Sequence, residues 1–173
     1  WNLGSITMLS GSAVSNCCNY FVDQSNASSV GGGILIDNGY GYFRGGKVSG
    51  CKAYRAAGVF AGNGATVEIS GDFTAEGNFT LDGRASDVVV ERDASLVMRD
   101  VISGEIGVDF GISVDTNVFG TVAAGFAGSE QSLTNSAARF TCNATGAYGV
   151  IAVKSGSGVT NIVWTRAFDG NGI

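Results

Sequence analysis

A segment of this chain can be laid over itself. Gly33-Ile34-Leu35-Ile36 returns as Gly58-Val59-Phe60-Ala61, 25 residues further on. The same shift places Asn38-Gly39 on Asn63-Gly64, Gly46 on Gly71 and Val48-Ser49-Gly50 on Phe73-Thr74-Ala75, which predicts a register without gaps. A period of this length belongs to arrays in which each repeat is one turn that cannot bury its apolar face alone. Two further copies align. Val88-Val89-Val90 matches Val59-Phe60-Ala61 at a shift of 29, which places four extra residues between Asn78 and Ser86. Val14-Ser15-Asn16-Cys17 matches the segment from Val48 to Cys51 at a shift of 34, with nine residues inserted between Cys18 and Val30. Insertions confined to one junction leave the stacking of turns intact.

Within each copy, runs of three to six residues alternate between apolar and polar, as in Ala65-Thr66-Val67-Glu68-Ile69-Ser70. Such runs are too short for helices, and their glycine and β-branched content favours strands. Among 173 residues there are 28 glycines and no proline. Glycine supplies corners, and absent proline leaves every ladder donor in place. The expected fold is therefore all-β: a parallel β-helix, or β-solenoid, with turns of about 25 residues. Residues 1–104 form the repeat turns, and 105–173 form final turns and a less regular C-terminal cap within one domain. Strands are expected at Ile106–Val114, Phe119–Ala124, Tyr148–Val153 and Asn161–Thr165, and a short helix at Gln131–Ala138. The ends at Trp1 and Ile173 read as those of a mature form or of a piece of a longer chain.

Charge and residue type narrow the function. The net charge is −5 with only ten scattered Lys and Arg, which disfavours nucleic acid as a partner. No apolar run is long enough for a membrane span. The absence of histidine removes Ser-His-Asp and Cys-His catalysis and most zinc sites. Carboxylates are the remaining route to an enzyme. Glu105, Asp109 and Asp115 lie near one another, but no acidic column forms: Glu68 aligns with Phe43 and Val97, and Asp72 with Lys47 and Val101. A glycosidase needs two carboxylates at a set separation. No catalytic, cofactor-binding or metal residues are therefore assigned.

The runs Gly-Gly-Gly-Ile-Leu-Ile, Gly-Gly-Lys-Val-Ser-Gly-Cys and Ala-Gly-Val-Phe resemble the glycine-rich repeats of secreted adhesin-like β-helix proteins. That family includes the polymorphic-outer-membrane-protein type and repeat adhesins of gut bacteria. Residues 31–78 carry the likeness best, and Val88-Val89-Val90, Ser103-Gly104-Glu105-Ile106-Gly107-Val108 and Ala138-Arg139-Phe140-Thr141-Cys142 extend it. The resemblance implies a right-handed parallel β-helix outside the cell or on its surface, a stalk or adhesive filament block without catalytic residues. Its partners would be another copy or the remainder of a longer chain, joined through the ends of the solenoid. The alternatives are a carbohydrate-active β-helix, lyase-like or hydrolase-like, and a carbohydrate-binding surface for glycans.

Several residues carry more local expectations. Cys17 and Cys51 occupy equivalent positions, about one strand spacing (~4.8 Å) apart and within reach of a disulfide. The alternative is a stack of small buried thiols. Cys18 faces the other way, Cys142 has no evident partner, and no CxxC pair suggests a metal. Three sequons begin at Asn26, Asn78 and Asn143 and are candidate glycosylation sites, or ordinary loop residues. Asn26 and Asn78 fall in the insertions, where exposure is expected. Stacked Asn38 and Asn63 suggest an amide ladder at a bend. Phe43 and Phe60 are expected in the core, while Tyr20, Tyr40 and Tyr54 beside loops are candidate surface aromatics for binding.

Overall fold

A computed structural model describes residues 4–20, 30–91, 93–110, 121–124, 130–143, 148–154 and 160–166. The chain passes repeatedly through three sheets. The first pass contains β1 (Ser5–Met8), β2 (Ala13–Ser15) and β3 (Cys18–Asn19). The second contains β4 (Ile34–Asp37), β5 (Tyr40–Phe43), β6 (Lys47–Ser49) and β7 (Lys52–Ala53). The third contains β8 (Val59–Gly62), β9 (Thr66–Gly71), β10 (Thr74–Glu76) and β11 (Phe79–Thr80). The fourth contains β12 (Val88–Val90), β13 (Ser95–Ile102) and β14 (Ile106–Phe110). Then follow β15 (Thr121–Ala124), α1 (Glu130–Ala137), β16 (Phe140–Cys142), β17 (Tyr148–Lys154) and β18 (Thr160–Arg166).

The first sheet runs β1-β5-β9-β13-β15-β18-β17, the second β2-β6-β10-β14-β12-β8-β4, and the third β11-β7-β3. Pairing is parallel from β1 to β15 in the first sheet and throughout the other two; among the described strands, β15–β18 and β18–β17 pair antiparallel. The architecture is thus mostly parallel strand with almost no helix. One sheet is nearly barrel-shaped. In the second sheet β14 pairs with β10 at Ile106 and with β12 from Val108 onward.

The core consists of like positions stacked on successive passes. Ile34, Val59, Val88 and Val108 form one buried column, and Met8, Phe43, Ile69 and Met98 another. Val48, Ala75, Ile106 and Phe140 form a third. Alternation along each strand turns every second side chain outward, so one face of each sheet is apolar and the other polar. In the Val67–Leu96 column the place of a side chain at Gly41 is taken by the Ile36 Cδ1 methyl, which would lie 2.5 Å from a Cβ there.

Corners follow from residues that tolerate positive φ. Asn16, Gly50 and Gly77 follow β2, β6 and β10, at φ of 55°, 68° and 68°. Asn38 and Asn63 follow β4 and β8, at 54° and 48°. Asn and Gly are the residues that adopt this conformation at least cost.

Several sequence expectations change here. The shift of 25 holds from β4 to β8, but it is 26 from β5 to β9 and 27 from β6 to β10. The corners before β9 and before β10 thus each take one added residue, and insertions are not confined to one junction. Val48 consequently pairs with Ala75, and Glu68 with Tyr42 rather than Phe43. Shifts of 29 for β12 and 34 for β2 are as expected. Phe60 lies on the outward side of β8, where it packs with Val30, Ala56 and Val89 in a small separate cluster. The Asn63 amide donates to the Asp37 carboxylate rather than stacking on Asn38 as a ladder.

Candidate functional site

Two surfaces carry the functional possibilities: an open edge and an aromatic outer face. Strands β1, β2, β3 and β4 each end their sheets, and each has a strand partner on one side only among the described residues. Lys47 N–H donates to the Ser12 carbonyl and Asn16 N–H to the Ser49 carbonyl, so even-numbered residues of this strand face β6. Ala13 and Ser15 therefore turn their backbone groups to the open side. The bonds from Tyr40 N–H to Gly4 and from Arg44 N–H to Met8 place Ser5 and Thr7 likewise. Ile6, Leu9 and Leu35 are exposed at this end, at 36%, 55% and 55%. Unpaired donors beside exposed apolar side chains are the usual condition for adding another strand.

The outer face of the first sheet carries Tyr40 and Tyr42. Their ring planes lie within 4° of each other, with centroids 6.2 Å apart. The Arg44 guanidinium sits 6.0 Å from the Tyr42 ring. Beside them Arg99 donates to Glu68 across β13 and β9 at 2.5 Å. Glu68, with a smaller contribution from Tyr42, pushes the Arg99 guanidinium further above its ordinary value.

The residues singled out in the sequence do not converge. Tyr20 is 73% exposed and Tyr40 53% exposed, while Tyr54 is half-buried. Tyr20 and Tyr54 follow Asn19 and Ala53, which pair in the third sheet, so they belong to a different surface from Tyr40. Hydrogen bonding to Cys18 raises the Tyr20 phenol above its ordinary pKa. Tyr42 belongs to the aromatic group of the second pass but was passed over in favour of Tyr20, Tyr40 and Tyr54, although its i+2 spacing from Tyr40 on an alternating strand was the available signal.

Asn78 requires a correction. It sits at the base of its insertion and is fully buried, while residues 82–85 are exposed. Its Nδ2 donates to the Val48 carbonyl (3.1 Å) and to Asp87 Oδ1 (2.8 Å), and its Oδ1 accepts from Cys51 N–H (3.0 Å). Asn78 N–H also donates to Asp87 Oδ1, and Asn143 Nδ2 donates to Asp87 Oδ2 at 2.9 Å. A glycan on Asn78 would have to occupy the closed interior. Asn26 lies outside the described residues. This knot satisfies buried backbone and a buried carboxylate, so the geometry reads as architecture.

The cysteines are adjacent but unbonded. Cys17, Cys18 and Cys51 stand as free thiols, with Cys51 buried, Cys17 part-buried and Cys18 exposed. The Cys51 sulfur approaches the Ser49 carbonyl at 3.7 Å, and the Cys17 sulfur the Ser15 carbonyl at 3.6 Å, each sulfur turned back on its own strand. Burial raises the Cys51 thiol pKa, against a smaller lowering by hydrogen bonding with the Cys17 backbone. That contribution to stability is complete below the ordinary thiol value of about 8.5 and is lost as pH climbs through the raised folded-state value. In a Cys142→Ser background, a thiol-reactive dye is expected to label exposed Cys18 first and Cys51 at least about tenfold more slowly. Equal labelling of all three would show that Cys51 is not sealed in the core.

Acidic side chains are largely engaged. Glu68, Glu76, Glu91 and Glu105 pair with Arg99, Lys47, Arg55 and Arg139, at 2.5, 3.0, 3.0 and 2.7 Å. Asp115 lies outside the described residues. Among the described residues no group of three or more Cys, Asp or Glu is placed to hold a metal ion. No described helix is long and apolar enough to cross a membrane. Compared with known proteins, the chain finds no matching family, no matching curated protein and no matching solved structure.

Proposed function

We propose that this chain is a right-handed parallel β-helix segment acting as a non-catalytic structural and adhesive module, joined through its open strand edge to another copy or to further chain. The observation that carries the reading is the coincidence of four strand edges, β1 to β4, at one end of the in-register columns. Such an end is completed by one more pass of the same kind, whose inward side chains would cover Ile6 and whose backbone would pair with Ser5, Thr7, Ala13 and Ser15. Placement outside the cell rests on the likeness to adhesin repeats. The described glutamates Glu68, Glu76, Glu91 and Glu105, each paired with a cation, favour this reading over a polysaccharide-cleaving enzyme.

The test is sedimentation equilibrium over a wide concentration range, with Thr7→Pro and Ala13→Pro introduced together. Proline removes N–H groups that face the open side, not those used by β5 and β6. The parent chain is expected to associate with rising concentration, and the double variant to stay monomeric with an unchanged far-UV spectrum. A parent that stays monomeric throughout, or a double variant that associates as readily, would overturn the edge reading.

A further inference from the structure

The outer face of the first sheet combines three features that fit one kind of ligand. Tyr40 and Tyr42 alternate with the inward Gly41 and Phe43, so both rings stand on the same side of a strand held between β1 and β9. Their near-parallel, stacked rings form one aromatic strip along the strand. In register, Ser5 and Thr66 flank Tyr40, while Thr7 and Glu68 flank Tyr42, which surrounds the rings with hydroxyl and carboxylate groups. At the end of the strip, exposed Arg44 makes no ion pair among the described residues, whereas Lys47, Arg55, Arg84, Arg99 and Arg139 each have an acidic partner.

We propose that this strip binds an acidic oligosaccharide, with sugar rings stacked on Tyr40 and Tyr42 and a uronate carboxylate held by Arg44. The C–H face of a pyranose ring is apolar and covers an aromatic ring, while its hydroxyls require hydrogen-bonding neighbours at the rim. A guanidinium without an acidic partner is suited to a carboxylate through a forked pair of hydrogen bonds. Polyphosphate is the weaker fit, since Arg44, the arginine without an acidic partner among the described residues, cannot alone neutralise a run of phosphates on a chain of net charge −5. The inference adds a ligand to the adhesive reading, and it stands on the sheet face, independent of the open edge.

The test is calorimetric titration with short oligogalacturonates and, in parallel, neutral xylo-oligosaccharides of equal length. The oligogalacturonate is expected to bind, and Tyr40→Ala or Tyr42→Ala to weaken it by about tenfold each. Arg44→Gln should abolish both the preference over the neutral chain and the dependence on salt. Tyr54→Ala, on the third-sheet side, should leave binding unchanged. All four side chains lie outside the core, and unchanged thermal unfolding checks that each variant is folded. Absence of binding to the oligogalacturonate, binding that survives Tyr42→Ala, or equal binding of both sugars unaffected by Arg44→Gln would each overturn the proposal. Because sedimentation reads the edge separately, failure here would leave the association reading standing.

Discussion

Asn78→Ala is expected to lower the free energy of unfolding by about 3–5 kcal/mol. The substitution leaves Cys51 N–H and the Val48 carbonyl without their buried partner. It also removes a side-chain donor from Asp87, a carboxylate only 5% exposed. Each unmet group costs about 1–3 kcal/mol when water cannot reach it. Gly58 and Gly107 show how tightly the knot is enclosed: a Cβ on Gly58 would meet the Asp87 carbonyl at 2.2 Å, and one on Gly107 would meet Asp87 Oδ2 at 2.2 Å. A compensating water could therefore enter only the space that the amide itself vacates. Urea unfolding with an unchanged slope measures the effect. Thr80→Val supplies the control, since it destroys the same sequon while leaving Asn78 in place. It removes the hydroxyl that accepts from Arg84 N–H on a part-exposed turn, and about 1 kcal/mol or less should be lost. Similar losses for both variants would mean that the buried knot is not what matters.

Phe73→Ala should cost about as much, roughly 3–5 kcal/mol, and lower Tm by about 6–20 °C. Phe73 is fully buried and stacks on Phe43 with ring centroids 4.7 Å apart and planes inclined by 25°. It reaches the core from the corner before β10, while Phe43 comes from β5, so the pair ties the second sheet to the first. Collapse into the vacated space is opposed from outside. Gly104 already lies so close that its Cβ would stand 2.0 Å from the Phe73 carbonyl oxygen. Phe73→Leu, which retains most of the volume, should lose about 1.5 kcal/mol or less. Differential scanning calorimetry distinguishes the two, and equal losses would argue for lost ring stacking instead of a cavity.

Much of the parallel architecture was legible because columns repeat in sequence as they do in space. Ile34-Leu35-Ile36 over Val59-Phe60-Ala61 and Leu96 beside Val67 are neighbours in both. The corners were only half legible. Asn38 and Asn63 announce a bend through their tolerance of positive φ, but a single added residue such as Ala65 changes no motif and yet moves every later pair by one. Alternation was also ambiguous at the strand level. Phe60 is as apolar as its neighbours, and only pairing with outward Leu35 shows that it leaves the main core.

The candidate surfaces differed in the same way. Tyr40 was accessible to sequence reasoning as an aromatic beside a turn. Its companionship with Tyr42 depends on which strand face is covered, which is a property of the assembled sheets. Asn78 misled for a physical reason. A sequon in an insertion suggests exposure, whereas the base of a loop must satisfy the backbone groups it interrupts, and here Asn78 and Asp87 do so. The pairing of β14 with both β10 and β12 had no sequence signal, because one strand serves two columns that are separate in the repeat.

The account rests above all on parallel strands stacked pass upon pass. Nuclear Overhauser contacts around Val67 test that most directly. Val67 is predicted to show backbone contacts to Gly41 on one side and to Leu96 on the other, with the short amide-to-Hα pattern of parallel ladders. Strong Hα-to-Hα contacts from Val67 to a strand joined by a hairpin, with no contact to Gly41 or Leu96, would contradict it.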